Sequence, residues 1–103
     1  MIDIITQHQQ EIADICRQLK VRRLEIFGSA ARGDFDPDQS DIDFLVEFDE
    51  TDASSGLLGR YLSLAERLEK ILGRQVDLIT PRSIRNFYFK KAVEASREPV
   101  YAG

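Results

Sequence analysis

Ile4, Ile5, His8, Ile12, Ile15, Cys16 and Leu19 recur at spacings of three and four, the stripe of an amphipathic helix that reaches about Lys20. Val21 to Phe27 is rich in β-branched and aromatic residues and stops at Gly28-Ser29, which predicts a short strand followed by a turn or helix start. Ala30 to Ser40 carries Gly33, Pro37 and a scatter of Asp and Ser, a loop or a single helical turn. Strict alternation follows. Ile42, Phe44, Val46 and Phe48 fall on one face, and Asp41, Asp43, Leu45 and Glu47 on the other, the pattern of a half-buried strand.

After the polar stretch Asp49 to Ser55, the residues Leu57, Leu58, Tyr61, Leu62, Leu64, Ala65, Leu68, Ile71 and Leu72 trace a second helix ended by Gly73. Gln75 to Thr80 predicts a third strand, broken by Pro81. Ser83 to about Ser96 predicts a third helix with Ile84, Phe87, Tyr88 and Val93 facing inward, and Pro99 to Tyr101 an added edge strand. With no repeat or linker, the order α-β-β-α-β-α predicts one two-layer α/β (α+β) domain over residues 1–103.

Composition narrows the function. The chain has 103 residues, 43% of them hydrophobic, enough to build a core without disulfides. With 14 Lys and Arg against 18 Asp and Glu, the net charge is −4, which disfavours stable binding to DNA, since that affinity comes from cations neutralising phosphates. The N-terminus lacks a charged n-region and an apolar h-region, and there is no run of about 18 apolar residues, so the expectation is a cytoplasmic protein with no membrane partner. Cys16, the one cysteine, sits on the apolar helical stripe and is expected in the core. His8, the one histidine, leaves no His/Cys metal cluster and is expected to be a solvated helix residue.

Asp41 and Asp43, two residues apart on a strand, project from one face about 7 Å apart. Such carboxylates repel unless cations neutralise them, and their all-oxygen character suits Mg²⁺. Taken alone, Asp-x-Asp is more often a solvated strand end. Gly28-Ser29 offers close backbone approach, a hydroxyl and free amides for a phosphate, though taken alone it is more often an ordinary helix cap. Asp77 lies between Val76 and Leu78; if these pack toward the helices, alternation turns Asp77 to the face of Asp41 and Asp43, where it could bind metal and deprotonate a hydroxyl. A solvated edge-strand Asp is the alternative. The conjunction of a phosphate cradle closing one strand and a metal pair opening the next strengthens both readings.

At this point the stretch FGSAARGDFDPDQSDIDFLVEF from Phe27 to Phe48, with VDLIT from Val76 to Thr80, resembles the minimal nucleotidyltransferases of the DNA polymerase β superfamily, among them MntA-type antitoxins encoded beside HEPN-domain toxins. The resemblance implies a small nucleotidyltransferase fold, a mixed sheet with helices packed on one face. It implies nucleotide binding by Gly28, Ser29 and Arg32, and metal carboxylates at Asp41, Asp43 and Asp77. It further implies two Mg²⁺ ions, ATP as substrate and transfer of AMP to a hydroxyl, a tyrosine on a partner HEPN toxin; it leaves room for a homo-oligomer. Eleven residues separate Ser29 from Asp41 where the family pattern has about ten, a difference a surface loop tolerates cheaply. Arg32 has a surface salt bridge to Asp34 as its alternative role. Two rival readings stand beside the enzyme: a non-catalytic antitoxin acting stoichiometrically, and nucleotidyl transfer to a small molecule, which so short a chain gives little room to bind. Asp34, Asp36 and Asp38 begin like a calcium loop, yet Gln39 and Leu45 occupy the positions that need Gly and Glu. Arg32-Gly33-Asp34 is a chance match to an adhesion tripeptide.

Overall fold

The computed structural model describes residues 2–28, 31, 41–49 and 56–102. Its elements are α1 (Asp3–Gln7), α2 (Gln9–Gln18), β1 (Val21–Phe27), β2 (Ile42–Phe48), α3 (Leu57–Leu72), β3 (Val76–Ile79), a 3₁₀ turn (Pro81–Ser83), α4 (Phe87–Ser96) and β4 (Glu98–Ala102). Four strands among the described residues form one mixed sheet in the order β3-β2-β1-β4. β1 is antiparallel to both β2 and β4, while β2 and β3 are parallel, the connection between them being made by α3.

The apolar stripes meet as their periods require. Ile5, Ile12, Ile15 and Cys16 of α1 and α2 and Leu64, Leu68 and Leu72 of α3 close over Leu24, Ile26, Ile42, Phe44 and Val46 on one face of the sheet. The predicted first helix is broken at His8, whose backbone leaves the helical region (φ −109°, ψ 13°). His8 is half-buried there rather than solvated, its Nδ1 donating to the Ile4 carbonyl at 2.8 Å, so it staples the break instead of facing water. Gly73 ends α3 in the left-handed region (φ +64°), as predicted.

The last helix departs from expectation. It starts at Phe87 rather than Ser83 because Asn86 caps it, its side chain accepting from the Tyr88 and Phe89 amides at 2.9 and 3.0 Å. That start turns Val93 inward but leaves Phe87 63% and Tyr88 81% exposed, so these two aromatics are surface residues, not core. The helices α1 to α3 share one face as expected; α4 lies on the other, where Val93 joins Phe27 and Leu45, with Ile79 and Ile84 beside them.

Two buried charges tie the elements together. Arg60 of α3 donates to the Leu19 and Asp49 carbonyls, each at 3.3 Å, with its guanidinium 5.3 Å from the Phe48 ring centroid. Glu25 of β1 pairs with Arg97 in a bidentate contact, Nε donating to Oε2 and Nη2 to Oε1, joining the end of α4 to the sheet. Among the described residues no helix is long and apolar enough to cross a membrane.

Candidate active site

Strand alternation and register together assemble the carboxylates. Ile42, Phe44 and Val46 pack into the main core, so the intervening Asp43 points to the opposite face, with Asp41 one step before the strand on the same side. In the parallel ladder Asp43 is the partner of Asp77, flanked by Ile42 with Val76 and Phe44 with Leu78. Val76 and Leu78 both pack on the core side, so Asp77 shares the face of Asp43. β3 is an edge strand, and Asp77 is exposed, as is Asp41; Asp43 is half-buried.

Gly28 closes the site from β1. Phe27 is the strand partner of Asp43, and Gly28 follows it with φ +69°. The positive φ favours glycine, and a β-carbon on Gly28 would stand 2.7 Å from Asp43 Oδ2, so any side chain here would push that carboxylate aside. The Gly28 amide is engaged within the fold: it donates to Ser96 Oγ at 3.1 Å, while that hydroxyl donates to the Ala92 carbonyl at 3.0 Å. Ser96, at the last residue of α4, is thus a site-shaping residue that sequence reasoning missed. The missing side chain of Gly28 leaves room for the Asp43 carboxylate. Ser29 and Arg32 lie outside the described residues.

The donor chemistry fits magnesium. Among the described residues no three Asp, Glu, His or Cys side chains could hold a cation by themselves. Mg²⁺ characteristically takes one or two carboxylates and completes its shell with water and substrate phosphate, which is what two neighbouring aspartates at the end of a strand can offer. The lone histidine is committed to the α1–α2 junction. A hollow of about 580 Å³ opens at the far ends of β2 and β3, between Phe48, Tyr61, Thr80 and Arg82, and none of the three aspartates lines it.

Comparison with known proteins adds the following. Residues 10–100 match the family model described as nucleotidyltransferase domain. A Methanocaldococcus jannaschii protein whose name places it among protein adenylyltransferases is 47% identical over 92 residues, covering 89% of this chain and 86% of that one. A solved structure described as a minimal nucleotidyltransferase superposes with a TM-score of 0.73 at 30% identity, over 95% of this chain and 96% of the other. The fold is also that of a chain in a structure of a tri-AMPylated Shewanella oneidensis HEPN toxin in complex with MNT antitoxin, with a TM-score of 0.62 at 21% identity, over 96% of this chain and 73% of that one.

Proposed function

The chain belongs to the nucleotidyltransferase family, and from that premise we propose that it transfers AMP from ATP to a tyrosine hydroxyl of a HEPN-type toxin, acting as its antitoxin. The observation that carries this reading is the pairing of Asp43 with Asp77 across parallel strands, with Asp41 on the same face. The name of the M. jannaschii relative and the AMPylated toxin held by a protein of the same fold both favour a protein acceptor.

Asp41 and Asp43 would hold two Mg²⁺ ions, their shells completed by water and substrate phosphate, with Asp77 as the strand partner of Asp43. Such ions, once bound, would supply positive charge to offset the charge that builds on the phosphoryl oxygens. Asp77 accepts the proton of the acceptor hydroxyl, whose oxygen forms a bond to the α-phosphorus as the bond from that phosphorus to pyrophosphate breaks. Gly28 leaves room for the Asp43 carboxylate, and Ser29 and Arg32 contact the phosphates. Asp77, solvent-facing on an edge strand, is reachable by a hydroxyl arriving from outside.

The test co-expresses the chain with the protein encoded by the adjoining reading frame and weighs that protein intact. Each transferred AMP adds about 329 Da. Asp77→Asn is expected to erase the added mass, with a rate loss of about 10² to 10⁴, while the two proteins still associate. A neutralised toxin with no added mass from the wild-type pair would replace transfer by stoichiometric inhibition.

A further inference from the structure

From Leu78 to Val93 the chain holds Arg82, Arg85, Lys90 and Lys91 and no acid. Those four of its 14 cations leave 10 to set against all 18 acids elsewhere, so this stretch, like Ile15 to Leu24 with Arg17, Lys20, Arg22 and Arg23, is basic within an acidic chain. The same segment holds the exposed aromatics. Phe87, Tyr88 and Phe89 are 63%, 81% and 44% exposed, the Lys91 ammonium stands 5.1 Å from the Phe87 ring centroid, and the Phe87 and Tyr88 rings meet edge to face at 5.8 Å. The ridge is continuous with the site: Phe89 packs edge-on at 6.0 Å against Phe27, the strand partner of Asp43.

We infer that this ridge docks the acceptor, a protein segment that presents its tyrosine among acidic side chains. The inference rests on the transfer reading above and names the acceptor's chemistry. Arg85, Lys90 and Lys91, all exposed, select an acidic segment by charge complementarity, which steers encounter and sets register. Exposed aromatic rings give a tyrosine ring faces and edges to pack on, at helix positions where they contribute little to this chain's own core. Single-stranded RNA also pairs with basic, aromatic surfaces, but the excess of eight acids over bases on the rest of the chain repels a polyanion that extends beyond the ridge.

The experiment offers the full chain, with Mg-ATP, four labelled probes: a Glu/Tyr copolymer, a Lys/Tyr copolymer, a neutral Gly/Ser/Tyr peptide and an oligouridylate. Anisotropy reads binding and mass spectrometry reads AMP on tyrosine. The Glu/Tyr probe is expected to bind at least ~10-fold more tightly than the others and to weaken with salt. Arg85→Glu/Lys90→Glu/Lys91→Glu and, separately, Phe87→Ser/Tyr88→Ser are expected to erase that preference, with melting temperatures showing that both variants fold. Tighter binding of oligouridylate, self-association that the charge reversal abolishes without any copolymer binding, or no preference for the acidic probe each overturns the docking assignment. AMP incorporated equally into acidic and neutral tyrosine probes overturns the ridge and leaves transfer standing; acidic binding without AMP incorporation on any probe leaves the ridge standing and overturns transfer.

Discussion

Gly28 lies so close to Asp43 that a side chain on it would displace the carboxylate: a β-carbon there would lie 2.7 Å from Asp43 Oδ2. Residues from two antiparallel strands are thereby fitted to one another at the end of the ladder where the carboxylates gather.

Gly28→Ala is therefore expected to act twice. The left-handed backbone costs about 1–2 kcal/mol for a residue with a side chain, which lowers the melting temperature by roughly 4–15 °C in a domain of this size. The added methyl also displaces the Asp43 carboxylate, so calorimetry should find Mg-dependent ATP binding lost to an extent that the melting shift does not explain. Normal ATP affinity in this variant would show that Asp43 is not a metal ligand.

Asp41→Ala/Asp43→Ala is expected to abolish Mg-dependent ATP binding and leave the metal-free melting temperature unchanged or raised, since neighbouring anions on one face repel. A large loss of metal-free stability would mean that these aspartates serve the fold first.

Arg97→Ala removes the partner of Glu25, whose side chain is only 8% exposed against 33% for Arg97. The hydrogen bond to Glu25 also holds the Arg97 guanidinium in its charged form, raising its pKa. Breaking a buried pair strands its remaining charge at about 3–5 kcal/mol, and the partial exposure of Arg97 sets the expected loss near the lower bound. Urea denaturation measures it, and Glu25→Gln/Arg97→Ala should recover part of the loss.

Cys16 is fully buried, and that burial pushes its thiol up to about 12 from the ordinary 9.0. The folded state holds the proton more tightly than the unfolded state does, so this contribution to stability is complete below pH 9 and declines as pH rises toward 12, by at most about 1.4 kcal/mol per pH unit. Iodoacetamide at pH 8.5 should leave the folded thiol unmodified and alkylate it in urea. Rapid labelling of the native protein would contradict the burial.

The alternation of residues 42–48 was legible because a period of two has one solution once a face is apolar, and it oriented Asp43 and Asp77 correctly. The position of Asp77 on an edge strand was not legible, because strand order depends on β4 joining β1, a pairing between distant segments with no local signal. Phe87 and Tyr88 were misread as core on hydrophobicity alone. Asn86 was the available signal, since a cap there moves the helix start and rotates its faces. The bond from Gly28 to Ser96 spans 68 residues and joins a backbone amide to a common hydroxyl, so no pattern along the chain announces it.

That bond also sets a schedule. Asp43 leaves the ribosome well before Ser96, and at roughly 5–20 residues per second the 53 residues from Phe44 to Ser96 take about 3–10 s to make. During that interval the nascent chain already holds Gly28, Asp41 and Asp43, with the Gly28 amide waiting for its hydroxyl. The turn reaches its native tether only when α4 has been synthesised and has docked, so a chain interrupted before Ser96 carries the aspartates without the latch that fixes the glycine beside them.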